Sequence, residues 1–203
     1  MAGLFVVLEG GDGAGKTTQL RRLAVWLTAA GREVVVTYEP GDTHLGATIR
    51  SLVLDHASGD VSPRAEALLY AADKAQHVYE VVRPALEAGK VVVCDRYVDS
   101  MIAYQAAGRS LDPAEVRGLA DWATGGLTPD LTVVLDVPVE RAVGEKADLD
   151  RMESAGAEFH ARVRAFFLDL AAQDPSRYLV LAGREDRDAI EAAIRARVEP
   201  LLP

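Results

Sequence analysis

The eight residues Gly10 to Thr17 carry the clearest chemical signal in the sequence. They read G-G-D-G-A-G-K-T and match the phosphate-binding pattern G-x-x-x-x-G-K-[ST]. Glycines let backbone N–H groups close around phosphate oxygens, Lys16 can reach the outer phosphates, and the Thr17 hydroxyl suits a hard cation. The pattern therefore predicts binding of a nucleoside triphosphate with Mg²⁺. The predicted cofactor-binding residues are Gly10, Gly11, Asp12, Gly13, Ala14, Gly15, Lys16, Thr17 and Thr18.

The residues on either side of this loop predict the elements that must hold it. An apolar run at residues 4–8 precedes it, and Leu20, Leu23 and Leu27 follow it at helical spacing. A glycine-rich turn can match the pattern by chance, but this strand, loop and helix context argues against that interpretation. The helix would also direct its positive N-terminal end toward the phosphates.

Strand-like runs and helical segments alternate along the rest of the chain. The apolar runs lie at residues 4–8, 33–37, 90–94, 131–136 and 178–181. This alternation favours a parallel sheet with helices on both faces. We therefore predict an α/β fold of the P-loop NTPase class, with three layers and a five-stranded parallel sheet flanked by helices. A length of 203 residues with 49% hydrophobic content indicates a single domain over residues 1–203.

Two segments between the strands have distinctive patterns. A long helical pattern runs from residue 62 to residue 88, with Ser62 as its cap and Pro63 in its first turn. Residues 139–156 are charged and weakly periodic, with glycines near the ends of the pattern. That pattern is typical of a mobile flap over a phosphate site, although a plain surface helix fits the composition equally well.

Composition argues against several classes of partner. The chain has 22 Lys and Arg against 31 Asp and Glu, a net charge of −9, which is unfavourable for a broad nucleic-acid surface or an anionic membrane. Its apolar stretches are strand-sized, and its first residues lack a signal-peptide pattern. We expect a cytoplasmic protein without nucleic-acid or membrane partners. The single cysteine, Cys94, is expected in the core.

A phosphate loop alone does not distinguish a hydrolase switch, a motor and a kinase, so the acceptor side depends on other segments. Asp12 would repel a triphosphate unless a sugar hydroxyl or a metal-bound water offsets its charge. Residues 39–43, E-P-G-D-T, follow the second strand at the sheet edge where ligands usually bind, or form a tight turn only. In Asp95-Arg96-Tyr97, the Asp95 carboxylate can bind a metal and the Arg96 guanidinium can bind a phosphate. Alternatively, the two groups can form an ion pair. The predicted metal-binding residues are Thr17 and Asp95.

Taken together, these segments resemble thymidylate kinases of the bacterial type, from Phe5 to about Tyr178. The motifs that carry the resemblance are Glu9-Gly10-x-Asp12-Gly13-x-Gly15-Lys16-Thr17-Thr18, Glu39-Pro40-Gly41-x-Thr43, Ala65-x-x-Leu68-Leu69-Tyr70-Ala71-Ala72, Asp95-Arg96-Tyr97, Ala103-Tyr104-Gln105, Pro129-Asp130-Leu131-Thr132 and Asp150-Arg151-x-Glu153. The resemblance implies ATP-dependent phosphorylation of dTMP to dTDP with Mg²⁺, for dTTP synthesis. It also implies a homodimer formed through helix faces.

The resemblance implies roles for individual residues around the acceptor. Asp12 would bind the deoxyribose 3′-hydroxyl, and Arg96 the acceptor phosphate, bordered by Glu39 and by Arg50, which is otherwise an ordinary surface cation. The predicted substrate-binding residues are Asp12, Glu39, Arg50, Tyr70, Lys74, Arg96, Ser100, Met101, Tyr104 and Gln105. The predicted catalytic residues are Lys16, Glu39, Asp95, Arg96, Lys146 and Arg151.

Three of these residues would surround the nucleoside. Tyr70 would stack on the thymine ring, although a tyrosine in a helix core gives the same pattern. Tyr104 would occupy the space that a ribose 2′-hydroxyl needs, and Gln105 would read polar atoms of the base.

The sequence departs from the family pattern in the flap and near the base. Relatives without an arginine in the phosphate loop usually carry arginines in the flap, whereas this flap offers Lys146 and Arg141. A lysine neutralises charge but lacks the planar fork of arginine. Arg151 is retained, although it could pair with Asp150 or Glu153 instead.

Near the base, Lys74 replaces a common arginine and Met101 a small polar residue, and Asp42 replaces the second glycine of the usual turn. These departures leave open a paralogous kinase for another or a modified pyrimidine deoxynucleotide. The arginine-poor flap also leaves open a catalytically impaired nucleotide-binding module. A hydrolase switch is disfavoured, because the acceptor-side motifs would then have no purpose.

Overall fold

A computed structural model describes residues 3–139 and 149–202. Within these ranges the strands form one parallel five-stranded sheet in the order β2-β3-β1-β4-β5. The strands are β1 (Leu4–Glu9), β2 (Val34–Tyr38), β3 (Val91–Asp95), β4 (Leu131–Asp136) and β5 (Tyr178–Ala182). Each strand ends within one residue of a predicted apolar run. The predicted α/β fold with a five-stranded parallel sheet is therefore confirmed.

Helices connect successive strands. In the described ranges they are α1 (Lys16–Ala29), α2 (His44–Leu54), α3 (Pro63–His77), α4 (Arg83–Glu87), α5 (Val98–Met101), α6 (Pro113–Thr124), α7 (Ala157–Gln173) and α8 (Arg187–Val198). Two π-helical segments, Val78–Val82 and Ile102–Gly108, continue α3 and α5. The helical pattern predicted over residues 62–88 is confirmed as α3, the first π-segment and α4. The wider turns lie just before Pro84, whose missing N–H removes one helical hydrogen bond.

Both faces of the central strands β1, β3 and β4 are buried, as the alternation of elements predicted. On β1, Leu4, Val6 and Leu8 pack in one cluster with leucines of α1 and isoleucines of α8. Phe5 and Val7 point to the opposite face and pack against the Val78–Val82 segment and α4. Apolar residues on both faces of one strand are what a sheet covered by two helical layers requires.

The carboxyl ends of three neighbouring strands lead into the segments that carry the chemical signals. β1 runs into the phosphate loop, β2 into the turn at residues 39–43, and β3 into the Arg96 loop. In the sheet register, Asp95 is paired with Leu8 on one side and with Tyr38 on the other. The three segments therefore meet at one edge of the sheet, where open α/β sheets bind ligands.

The expected position of Cys94 has its outcome in the fold. Cys94 is buried in the core, as predicted. None of the helices in the described part of the chain combines the length and the hydropathy that a membrane-spanning helix requires.

Candidate active site

The phosphate loop has a backbone that only glycine accommodates at one point. Gly10 has a φ of 131°, and a Cβ atom there would lie 2.4 Å from the carbonyl oxygen of Leu135. Lys16 opens α1 and folds back over the loop, where its Nζ donates to the carbonyl oxygens of Gly10 and Gly11 at 2.9 Å each. Burial, followed by the nearby charge of Arg96, lowers the pKa of Lys16 to about 8.

Thr17 and Asp95, the predicted metal-binding residues, lie side by side. The Thr17 hydroxyl donates to Asp95 Oδ2 at 3.2 Å, and Asp95 Oδ1 is buried without a hydrogen-bond partner in the described residues. No group of three or more His, Cys, Asp and Glu residues with metal-binding geometry occurs in the described ranges. The pair therefore fits Mg²⁺, which takes one or two protein ligands and completes its shell with phosphate and water.

Arg96 is held in a strained backbone conformation beside the phosphate loop. Its φ is 69°, which is uncommon for a residue other than glycine. Its Nη2 donates to Asp12 Oδ1 at 2.7 Å, and its Nη1 to the Ser100 hydroxyl at 3.1 Å. Among the ion pairs of the described residues, Arg96 has Asp12 as its partner instead of the adjacent Asp95. Burial alone would raise the pKa of Asp12, but Arg96 and Lys16 outweigh it and lower that pKa to about 2.

Glu9, the last residue of β1, fixes the loop that presents Arg96. Its Oε1 accepts hydrogen bonds from the backbone N–H groups of Tyr97 at 2.8 Å and Ser100 at 3.1 Å, and its Oε2 accepts the Ser100 hydroxyl at 2.5 Å. Glu9 is fully buried, and burial, followed by the negative charge of Asp99, raises its pKa to about 7. This role was not predicted, although a carboxylate that ends an apolar strand is its sequence signal.

Glu39 is engaged on both of its oxygens within the protein. Its Oε2 pairs with Lys74 Nζ, and its Oε1 is 2.7 Å from His77 Nδ1. Burial alone would raise the pKa of Glu39, but Lys74 and His77 lower it below its ordinary value. Burial alone would lower the pKa of Lys74, but the adjacent Glu39 raises the pKa of Lys74 above its ordinary value. Lys74, predicted to contact the base, is thus committed to Glu39 in this structure.

A cavity of about 90 Å³, here called the acceptor cavity, lies between α2, α3 and the Arg96 loop. Its wall contains all ten predicted substrate-binding residues, together with Pro40, Leu54, Asp150 and Met152, which were not predicted. Whether each residue binds substrate stays a prediction. Arg50 is more than a surface cation, because its Nη1 donates to the Pro40 carbonyl at 2.7 Å beside the cavity.

Two further openings adjoin the acceptor cavity at Asp12. The first, here called the phosphate groove, runs along the loop past Lys16, Thr17 and Asp95. The second is an apolar cavity of about 130 Å³ between β4 and α7, which also borders Tyr104. The sequence did not predict the second cavity, because its walls come from elements distant in the chain.

Arg151 contacts neither of the partners that the sequence offered. Its Nη2 pairs with Glu66 on α3, and its Nε donates to the carbonyl oxygen of Val53 at 3.1 Å. Its assignment as a catalytic residue stays a prediction. Lys146 and Arg141 lie outside the described residues, as do residues 140–148 of the predicted flap at residues 139–156; Glu153–Ala155 forms a single 3₁₀ turn.

The buried polar residues of α3 were mostly missed by sequence reasoning. Glu66, Tyr70, Asp73, Lys74 and His77 all lie on its buried face. Their spacing of three, four, seven and eight residues is helical, so the same periodicity that marks an apolar stripe was present in polar residues. A polar stripe of this kind indicates a helix that lines a site.

Comparisons relate the sequence and the fold of this chain to known proteins. A family model described as thymidylate kinase matches residues 8–194. A curated thymidylate kinase from Cutibacterium acnes is 64% identical over 202 residues, covering 100% of this chain and 99% of the relative. One from Clavibacter sepedonicus is 54% identical over 206 residues, covering 100% and 97%. The crystal structure of thymidylate kinase from Ehrlichia chaffeensis matches with a TM-score of 0.81 at 30% identity, covering 98% of this chain and 100% of that one.

Proposed function

This chain belongs to the thymidylate kinase family, and we propose that it transfers the terminal phosphoryl group of ATP to dTMP, giving dTDP and ADP. One observation carries the proposal beyond family membership. The acceptor cavity and the phosphate groove share four residues, which are Asp12, Glu39, Arg50 and Arg96. Nucleotides bound in the two openings therefore have their phosphates at a common point.

Phosphoryl transfer depends mainly on aligning two anions and neutralising their charge. Lys16 is placed to contact the outer phosphates of ATP, because its Nζ already lies over the loop. Arg96 presents a planar fork to the acceptor phosphate, and Asp12 and Ser100 orient that fork. Thr17 and Asp95 would hold Mg²⁺, which when bound neutralises charge on the phosphates.

A coupled ADP-release assay tests the proposal. Purified protein with ATP and Mg²⁺ is assayed with dTMP, without an acceptor, and with dUMP. We expect release that depends on dTMP and exceeds release with dUMP. Release without an acceptor would instead indicate a hydrolase. ATP binding without transfer to any acceptor would indicate the catalytically impaired module, and a preference for dUMP would indicate the paralogous kinase.

We also propose that residues 1–203 form one domain in which residues 139–156 close over the phosphates as a flap. Closure would exclude water that otherwise hydrolyses ATP. Lys146 would then neutralise the transferred group, and the saturating rate of Lys146→Ala tests that role.

We propose a homodimer formed through faces of the helices α2, α3 and α6. Large hydrophobic side chains are exposed on α2, α3 and α6, namely Leu45, Leu52, Leu68 and Trp122. α3 packs against both α2 and α6, and contiguous exposed apolar surface marks protein contacts. Light scattering at working concentration should give twice the 21.7 kDa chain mass; a monomer mass would remove the proposal. We expect a cytoplasmic enzyme without a nucleic-acid partner, given the net charge of −9.

A further inference from the structure

Glu66 is a fully buried carboxylate that gathers side chains from three parts of the chain. Its exposed fraction is 0%. Its Oε1 accepts from Gln105 Nε2 at 3.1 Å and from Arg109 Nε at 3.0 Å. Its Oε2 accepts from Arg109 Nη2 at 3.3 Å and also pairs with Arg151 Nη2. A carboxylate paired with two guanidinium groups accepts hydrogen bonds on both of its oxygens.

This fixes the orientation of the Gln105 amide. The oxygen and nitrogen of a glutamine amide look alike, so their assignment must come from the hydrogen-bond network. Only the NH₂ group of Gln105 can face Glu66 Oε1, because the amide oxygen would place two acceptors against each other. The flipped amide would also leave a buried carboxylate oxygen with one donor fewer, which is unfavourable for a buried polar atom.

The other end of the same amide faces the acceptor cavity. Gln105 is 1% exposed and lines that cavity with Tyr70 and Met101. Its Oε1 accepts no hydrogen bond from the described residues, yet it is not one of their fully buried atoms without a partner. The oxygen is therefore accessible, and because Gln105 lines the acceptor cavity, it can offer an acceptor to a ligand there.

We propose that Glu66 is a positioning residue for base selectivity, which holds Gln105 so that its amide oxygen accepts the N3–H of thymine. The inference rests on dTMP being the substrate. Thymine carries a hydrogen at N3, whereas cytosine has an unprotonated N3 that can only accept. An amide fixed with its oxygen toward N3 therefore accepts thymine and rejects cytosine, and the flipped amide would reverse that preference. A site built to pair with one polar group discriminates strongly against its absence.

The variant Glu66→Gln tests this directly. The new amide has one acceptor and one donor end. The position of Oε2 faces two arginine donors, whereas that of Oε1 faces one, Arg109 Nε, beside the Gln105 amide, which can turn over. The acceptor end should take the position of Oε2, so the new NH₂ faces Gln105 and turns its amide over. We expect the ratio of kcat/KM for dTMP to that for dCMP to fall by about tenfold or more, mainly through KM.

Arg109→Lys is the matched control. It disturbs the same cluster but leaves Glu66 facing Gln105, so the dTMP to dCMP ratio should stay within about twofold of the unmodified protein. Two results would overturn the proposal by showing that Glu66 only supports the fold. One is a loss of kcat/KM in Glu66→Gln that is equal for dTMP and dCMP, and the other is the same change in the dTMP to dCMP ratio in Arg109→Lys.

A second measurement needs no variant. N3-methyl-dTMP lacks the N3–H, so the unmodified protein should bind it at least about tenfold more weakly than dTMP in a calorimetric titration. Equal binding of the two nucleotides would overturn the proposal even if Glu66→Gln fails to fold. Binding is measured without ATP, so the result of this titration does not depend on whether the protein transfers a phosphoryl group. Absence of transfer to dTMP would refute the proposed function, and unchanged discrimination would refute the role of Glu66.

Discussion

The two halves of the site are built in different ways. The phosphate half is centred on one continuous stretch, Gly10 to Thr17, and is bordered by Asp95 and by residues 36–39 at the end of β2. The acceptor half takes its walls from the turn after β2, from α2 and α3, and from the Arg96 loop with the π-helical segment that follows it. Backbone geometry governs the first half, whereas side chains from distant segments govern the second.

This difference shows what directs the cations of each half. Lys16 is placed by the carbonyl oxygens of its own loop. Lys74 and Arg151 are instead directed by the buried carboxylates Glu39 and Glu66, and Glu9 fixes the backbone that presents Arg96. Because a buried charge must be paired, each carboxylate determines where a neighbouring cation lies. The acceptor half therefore depends on residues that need not touch substrate.

The largest effect is expected from Arg96→Ala, which removes the cation between the halves. Transfer to dTMP should fall by about a hundredfold or more in kcat, because a preorganised charge at the phosphoryl group is lost. ATP binding should persist, since Lys16 and the loop are unchanged. Steady-state assays with calorimetric titration of ATP measure both. Arg96→Lys keeps the charge without the planar fork, so its kcat should lie between those of Arg96→Ala and the unmodified protein. Near-normal transfer in Arg96→Ala would contradict the role of Arg96 at the acceptor phosphate.

The sequence predicted the first half more completely than the second, for a physical reason. A phosphate loop is a local backbone shape, so its residues are adjacent and their pattern is specific. The strands also followed from apolar runs, because both faces of a parallel sheet are buried. The partners of Arg96 and Arg151 could not be predicted from a local sequence pattern. Asp12 and Glu66 meet these arginines only through the fold, and adjacent residues such as Asp95 or Asp150 were the natural local alternatives.

A second prediction concerns pH and the carboxylate that fixes the Arg96 loop. The pKa of Glu9 is about 7 in the folded protein against 4.5 as its ordinary value. In that interval the folded state binds more protons than the unfolded state, so the free energy of unfolding falls as pH rises. Between about pH 5 and about pH 8, this contribution should remove about 2–3 kcal/mol.

Glu9→Gln should abolish that part of the pH dependence while keeping an acceptor for Tyr97. Urea unfolding at several pH values measures the difference between the two proteins. Glu158, whose side chain is 91% exposed on α7, provides the control variant Glu158→Gln, which should leave the pH profile unchanged. Parallel pH profiles for Glu9→Gln and the unmodified protein would show that Glu9 titrates in its ordinary range.

A third, smaller effect separates Arg151 from Arg96. Arg151→Ala removes one partner of the buried Glu66, which keeps Arg109 and Gln105. We expect a loss of about 2 kcal/mol in the free energy of unfolding, with kcat reduced by less than about tenfold. Thermal unfolding and steady-state assays measure the two quantities. A hundredfold loss of kcat with unchanged stability would instead place Arg151 at the transferred phosphoryl group.

The smallest effect is expected from Tyr104→Phe, which tests whether the ring or the hydroxyl serves the acceptor half. The Tyr104 hydroxyl is 3.5 Å from Asp12 Oδ2, too long for a strong hydrogen bond, whereas its ring lies 5.3 Å from the Arg96 guanidinium carbon. Burial raises the pKa of Tyr104 to about 12, so the hydroxyl is neutral near pH 7. The kcat/KM for dTMP should stay within about threefold in Tyr104→Phe.

Tyr104→Ala supplies the contrast for the same residue. If the ring fills the space that a ribose 2′-hydroxyl needs, Tyr104→Ala should use ribothymidine monophosphate better relative to dTMP, and Tyr104→Phe should not. Competition between the two nucleotides at equal concentration measures the preference. An equal gain in the use of ribothymidine monophosphate by both variants would mean that the hydroxyl, and not the ring, excludes the ribonucleotide. The acceptor half would then select deoxyribose through one polar atom instead of through the shape of a ring.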